Sequence, residues 1–347
     1  MPSGVVYALS AALLFGLGTP LAKLLLANVH PLMLAALLYL GSGFGLALLR
    51  LLRREATQLP RGREWWWLAG AVAAGGVAGP VLLMLGLSGF SASGASLLLN
   101  SESVLTALLA WFVFKENFDA RIALGMLAIV CGALVLAWPV DASLSSGSLT
   151  SALLIVAACL AWAIDNNLTR KVSLADAGFI AMSKGLGAGT VNLLLAWLAG
   201  AAMPSPLLAA QSALLGFASY GASLVLFVLA LRHLGTARTG AYFSTAPFAG
   251  ALLAIFLLGE PVTTQLVLGG LLMLAGVVLH LNERHDHDHM HEALEHDHEH
   301  VHGDDPHHQH EHAQSVQPGV RHGHRHTHEP LHHSHGHYPD AHHRHGH

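Results

Sequence analysis

Hydrophobic side chains fill ten long stretches of the chain, separated only by short clusters of charged and turn-forming residues. Cutting at those clusters gives Val5–Ala27, Pro31–Leu52, Trp65–Leu87, Ser91–Phe114, Ile122–Trp138, Leu149–Leu168, Ala177–Leu198, Leu207–Leu231, Thr239–Leu258 and Val262–Leu281. A bilayer core asks for about 20 mostly apolar residues per helix, and these stretches lie near that length. The pattern predicts an all-α integral membrane protein with ten transmembrane helices. The first stretch has no Lys or Arg before it and is too long for the apolar part of a cleaved signal, so it is read as a retained helix.

The breaks carry an orientation signal. Arg53, Arg54, Arg61 and Arg63 follow the second stretch, Lys115 and Arg121 the fourth, Arg170 and Lys171 the sixth, Arg232 and Arg238 the eighth, and Arg284 the tenth. The alternate loops hold no Lys or Arg. Short cytoplasmic loops concentrate these residues, so the pattern places both termini in the cytoplasm of an inner-membrane protein.

Composition sharpens the division of the chain. Only 11% of the 347 residues are charged, against about 25% in soluble domains, which excludes a single soluble globular enzyme. Of 27 histidines, 24 follow Arg284. Residues 1–284 carry a net charge of +4 and the remainder −8 with His neutral. Cys131 and Cys159 sit inside apolar runs and offer neither a disulfide framework nor a thiolate metal site.

The apolar region also repeats itself. At an offset of 144, Leu97-Leu98-Leu99-Asn100-Ser101 falls on Ala241-Tyr242-Phe243-Ser244-Thr245, Lys115-Glu116 on Gly259-Glu260, and Gly125 and Gly132 on Gly269 and Gly276. Near an offset of 147, Phe15–Pro20 matches Trp162–Asn167, and Lys23 matches Arg170. Each half then has five helices, over residues 1–139 and 145–283, with a tail over 284–347. An odd number per half reverses the second half in the membrane, which puts Glu116 on the cytoplasmic side and Glu260 outside. Inverted repeats of this kind are a device of secondary transporters.

The stretch Leu97–Leu105 with Ala107–Trp111 and Lys115-Glu116, and the stretch Phe243–Phe248 running to Leu258-Gly259-Glu260, resemble the EamA-type transporters of the drug/metabolite transporter superfamily. The resemblance covers residues 4–282. It implies a ten-helix carrier, commonly an exporter, with a central cavity lined by helices 1, 3, 4, 6, 8 and 9. One departure is Ser103, where the family often has Pro, whereas Pro247 keeps it in the second half. The fourth helix is therefore expected to be less kinked than the ninth.

Ionisable residues inside apolar helices cost about 2.5–3.5 kcal/mol each on insertion scales and are functional candidates by default. Glu102, beside Asn100 and Ser101, is a candidate proton carrier or cation contact. Asp165 and Lys184 lie at similar depth in neighbouring helices and are expected to form an ion pair, structural or gating. Asn166 and Asn167 could bond a solute or satisfy backbone groups. Tyr220, Ser223, Tyr242, Ser244 and Thr245 add neutral hydrogen-bonding groups, each of a kind that serves more often as helix glue than as ligand, with Tyr220, Tyr242, Ser244 and Thr245 as pathway candidates. Lys23 and Arg170 are expected to snorkel to the interfaces. The spacings Gly41/Gly45, Gly75/Gly79 and Gly185/Gly189 read as packing signals, and Pro80 as a kink.

The tail cannot build a core and is expected to be disordered without metal. Its His-x-His runs suit Ni, Zn, Co or Cu, with His285, His287, His289, His291, His296, His298, His300, His302, His307, His308, His310 and His312 as candidate ligands. No cofactor is required. The His298-Glu299-x-x-His302 and His328-Glu329-x-x-His332 strings lack the folded helix that a zinc protease motif needs. Expected partners are the lipid bilayer and a small solute or metal cation, with no nucleic acid; a homodimer is left open. Three functions follow: an exporter of a divalent transition metal collected by the tail, an exporter of a small organic metabolite or drug with the tail as metal or pH regulator, and a non-transporting, membrane-anchored metal buffer.

Overall fold

The computed structural model describes residues 3–53, 59–114, 120–138, 145–172, 175–227, 229–230, 239, 242–281, 288–291, 294–301, 321–328 and 331–334. Contacts divide the chain into two units, Met1–Glu283 and Arg284–His347. In the first unit the described regular structure is helical. Helices α1 (Ser3–Leu25) and α2 (Pro31–Arg53) are followed by α3 (Glu64–Ala71), a run of wider π-helical turns (Val72–Ala78) and α4 (Gly79–Ser88). Then come α5 (Ala92–Leu98), α6 (Ser101–Phe114), α7 (Ala120–Ala137), α8 (Ser145–Arg170) and α9 (Ala177–Leu198). Helix α10 (Pro206–Gly216) runs into a second π-helical stretch (Phe217–Ala222), and α11 (Ala246–Leu258) and α12 (Thr264–Leu281) close the unit.

Among the described residues, six helical spans are long and apolar enough to cross a membrane: Gly4–Leu25, Pro31–Leu52, Glu64–Ser88, Leu149–Thr169, Gly178–Leu198 and Pro206–Phe227. Shorter apolar helices occupy Ala123–Ala137, Ala246–Leu258 and Thr264–Leu279. The protein is a multi-pass membrane protein. Large apolar side chains such as Phe44, Leu51, Trp66, Leu198 and Phe256 are exposed on its outside, as lipid-facing positions require.

Two helix pairs make the most extensive contacts, α2 with α9 and α7 with α12. Glycine permits both. A Cβ on Gly43 would lie 2.5 Å from Leu186 N, and one on Gly132 would lie 2.8 Å from Gly269 O. The π-helical stretches begin at Val72 and Phe217, near one repeat length apart.

Helix interruption departs from expectation. The fourth apolar stretch is broken at Leu99-Asn100 between α5 and α6, although Ser103 replaces the kinking Pro. Ser103 Oγ donates to Asn100 O at 2.7 Å, and Asn100 Nδ2 donates to Leu97 O at 3.0 Å. Local side-chain bonds thus stabilise the break that Pro would otherwise impose. The matching turn before α11 falls at Ser244-Thr245, where Thr245 Oγ1 bonds Tyr242 O at 2.6 Å.

The tail unit also differs from the expected disorder. Strand β1 (Asp288–His291) pairs antiparallel with β4 (Leu331–Ser334), and β2 (Leu294–Val301) with β3 (Arg321–His328). Alternation of His with other residues has the two-residue period of a strand, and pairing satisfies backbone groups without a core. The all-helical description therefore applies to the membrane unit. His289, His291, His296, His298 and His300 lie on β1 and β2. His285, His287, His302, His307, His308, His310 and His312 lie outside the described residues.

Candidate functional site

The polar residues of the apolar helices converge around α8. Asp165, 5% exposed, receives Lys184 Nζ from α9 on both carboxylate oxygens, each at 2.6 Å. Thr169, one turn along α8, donates to Asp165 Oδ1 at 2.8 Å. The expected ion pair is thus present, and its carboxylate is fully engaged. Two opposite charges share one desolvated site, which is the arrangement that makes buried charge tolerable.

Glycine seats this pair. A Cβ on Gly75 would fall 1.9 Å from Asp165 Oδ2 and 2.4 Å from its Cβ. The spacing Gly75/Gly79, read as packing alone, therefore positions an ionisable group. The π-helical turns here leave carbonyls free of their usual helical donors, and side chains take them up. Gly75 O accepts from Tyr39 Oη and from Trp162 Nε1, both at 2.9 Å. Gly76 O, whose helical donor would be the N–H that Pro80 lacks, accepts from Asn192 Nδ2 at 3.0 Å.

Replacing Gly75 by Ala should displace the Asp165–Lys184 pair and cost about 1–3 kcal/mol, the usual range for overpacking. Gly70→Ala is the control, because its added Cβ would meet only Leu168 Cδ1 at 3.1 Å. Thermal unfolding in detergent should separate the two. Equal midpoints would remove the seating role.

Glu102 opens α6 just after the helix break, and its Oε1 accepts from Asn166 Nδ2 at 2.8 Å. It is half-buried and within electrostatic reach of both Asp165 and Lys184. Asn167 turns the other way and donates to Ala163 O at 2.8 Å, within its own helix. One Asn of the pair joins the site and the other satisfies backbone. Asn100 and Ser101 are both buried, and Ser101 Oγ is an unpartnered buried oxygen, as are Ser96 Oγ and Ser219 Oγ.

Aromatic rings border the charges. Tyr39 and Tyr220 lie 5.4 Å apart between centroids, Tyr220 and Phe15 6.0 Å, Phe15 and Phe243 5.4 Å, and Phe243 and Phe227 4.8 Å. This chain of rings joins α1, α2, the π-helical turn after α10 and the residues before α11. Tyr220 is thus packed against Tyr39, whose hydroxyl bonds Gly75 O. Ser223 instead ties helices together by donating to Ala11 O at 2.8 Å. Thr245 bonds its own turn, in which Tyr242 and Ser244 also lie.

Sequence reasoning missed Tyr39, Trp162, Thr169 and Asn192. The signal for the last two was a hydroxyl and an amide inside apolar helices. The Lys23 ammonium donates to Leu87 O at 2.6 Å and Phe90 O at 2.8 Å, with Ser88 O at 3.2 Å, all at the end of the Glu64–Ser88 span. The side chain of its repeat partner Arg170 is outside the described residues.

The sequence profile of the EamA-like transporter family matches this chain twice, over residues 2–138 and 149–282. The chain belongs to the EamA-like transporter family. An uncharacterized transporter of Methanothermobacter thermautotrophicus (strain Delta H) is similar at 29% identity over 292 residues, 80% of this chain and 85% of that one. A solved crystal structure shares the fold with a TM-score of 0.60 at 17% identity, over 80% of this chain and 95% of that one. The double match makes this EamA-family chain a transporter of the drug/metabolite type.

Proposed function

We propose that this EamA-family protein is a secondary active exporter that works by alternating access. In this reading its ten helices form two inverted five-helix repeats, in an inner membrane with both termini cytoplasmic. The two family matches, the helix breaks at Leu99-Asn100 and Ser244-Thr245, and the paired π-helical stretches support the repeat. The arginines and lysines of alternate loops support the orientation.

The observation that carries the functional reading is the joining of Glu102–Asn166 and Asp165–Lys184 beside Tyr39 and Tyr220. Charged groups at membrane depth mark solute and ion pathways. Aromatic faces bordered by a few convergent polar groups suit a small organic solute, preferably one with a cationic or hydrogen-bonding end. Glu102 is the candidate proton carrier. Among the described residues its side chain is held by a neutral amide, that of Asn166, whereas Asp165 is neutralised by Lys184. The test is flux into proteoliposomes for a panel of organic cations, neutral metabolites and divalent metals, with and without residues 285–347. Flux of organic solutes by the tailless protein would sustain this reading, and flux of metals alone would sink it.

A second reading takes a divalent transition metal as cargo, and the 24 tail histidines favour it. Neutral imidazoles bind Ni, Zn, Co and Cu, and a tethered ligand array raises the local ion concentration at the pore. Removing residues 285–347 is expected to eliminate most equilibrium binding of Ni2+ and Zn2+ by the purified protein, measured by calorimetry. If metal is also the cargo, neutralising Glu102 or Asp165 in the tailless protein should still change metal flux. A metal buffer merely anchored in the membrane predicts no effect of either substitution.

A further inference from the structure

The polar groups at the end of the bundle where α1 finishes form a separate constellation. Glu260, just past α11, reaches the start of α5. Its Oε1 accepts from Ala92 N at 2.7 Å, and its Oε2 accepts from Ser93 N at 2.9 Å and from Ser93 Oγ. Gly259, at φ +64°, turns the chain so that Glu260 follows the helix directly. Only glycine adopts that conformation without strain. A cavity of about 120 Å3 borders the carboxylate, lined in part by Phe90, Gly94, Thr263 and Gln265.

These bonds differ in what they join. Ala92 and Ser93 lie in the first family match and Glu260 in the second. Lys23, by contrast, binds carbonyls of residues 87, 88 and 90, all within its own half. Lys23 therefore holds the α4–α5 connection to α1, and Glu260 fastens that connection to the other half. The two close-packed helix pairs, α2 with α9 and α7 with α12, also cross between halves. Their backbones touch through glycine, so they suit pivots rather than sliding surfaces. Carboxylate bonds near a cavity are the contacts that can break without disrupting a core.

We propose that Glu260 is a latch of the transport cycle: its bonds to Ala92 and Ser93 close this end of the carrier and must break for the site to open there. Lys23 is the positioning residue that presents the receiving edge. The proposal rests on alternating access but not on the identity of the solute. It adds a function for Glu260, Ser93 and Lys23 away from the Glu102–Asp165 cluster.

The test is a spin-label distance measurement on the full-length protein in liposomes. Cys131 and Cys159 are replaced by Ala, and labels are placed at Ser88→Cys and Val262→Cys, both exposed positions at this end. A control pair at Phe44→Cys and Val191→Cys, also exposed, spans the α2–α9 contact. Glu260→Ala should raise the ratio of long to short distances at the first pair by about tenfold or more, because hydrogen bonds to a charged group are among the stronger ones. Glu260→Gln, which keeps an acceptor, and Ser93→Ala, which removes one bond, should fall in between. The control pair should not move. An unchanged first pair in all three variants would overturn the latch. A shifted first pair with no solute flux in any protein would sink the transport reading and with it the latch's place in a transport cycle, leaving Glu260 only as the contact that closes this end.

Discussion

Replacing Lys184 by Met is expected to destabilise the protein by about 3–5 kcal/mol, the range found when one partner of a buried ion pair is removed. The reason lies in the surroundings of Asp165. It is 5% exposed, and its remaining neutral partner is Thr169. Without Lys184 the carboxylate must stay charged in an apolar setting or take up a proton. The same substitution combined with Asp165→Leu removes both charges and should recover most of the loss. Unfolding in a denaturing-detergent titration provides the comparison. If the single and double variants lost the same stability, the pair would contribute only packing.

This experiment also separates a structural pair from a gating one. Asp165 and Lys184 bridge α8 and α9. A bond that holds two helices permanently can be exchanged for apolar packing with transport intact. A bond that opens in the cycle cannot, because an apolar replacement would not reopen. Recovery of stability without recovery of flux would assign the pair to gating.

That this pair was legible beforehand follows from energetics. Opposite charges at similar depth in neighbouring apolar helices have few other ways to be satisfied. Glu102 was legible as an exception but not as a partner of Asn166, since the rotation of α6 against α8 is set by packing that spacing does not reveal. Tyr39 was invisible for a related reason: one tyrosine in an apolar helix is usually core, and its partner Gly75 O becomes free only through π-helical turns. Gly75 itself announces a close approach without saying to what. The break at Leu99-Asn100 was missed because Pro was taken as its cause, whereas the hydroxyl of Ser103 and the amide of Asn100 serve instead. The partners of Lys23 were not legible either, because the carbonyls that hold it belong to residues more than sixty positions away.

The second large effect concerns coupling. Glu102→Gln should abolish accumulation of solute against its gradient while leaving exchange of solute for solute. With one proton per solute and a pH difference of about one unit, the driving force is about 1.4 kcal/mol, or about a tenfold solute gradient. The substituted protein should reach only equal concentrations on the two sides. Gln keeps the size of the side chain and an oxygen to accept from Asn166 Nδ2, so packing and solute position are preserved and only the exchangeable proton is lost. Glu102→Asp keeps the proton but shortens the reach to Asn166, and it should retain accumulation at a reduced rate. Parallel assays with and without an imposed pH gradient read the two quantities separately. Undiminished accumulation by the Gln variant would move the coupling proton elsewhere, and loss of exchange together with accumulation would make Glu102 a solute contact instead.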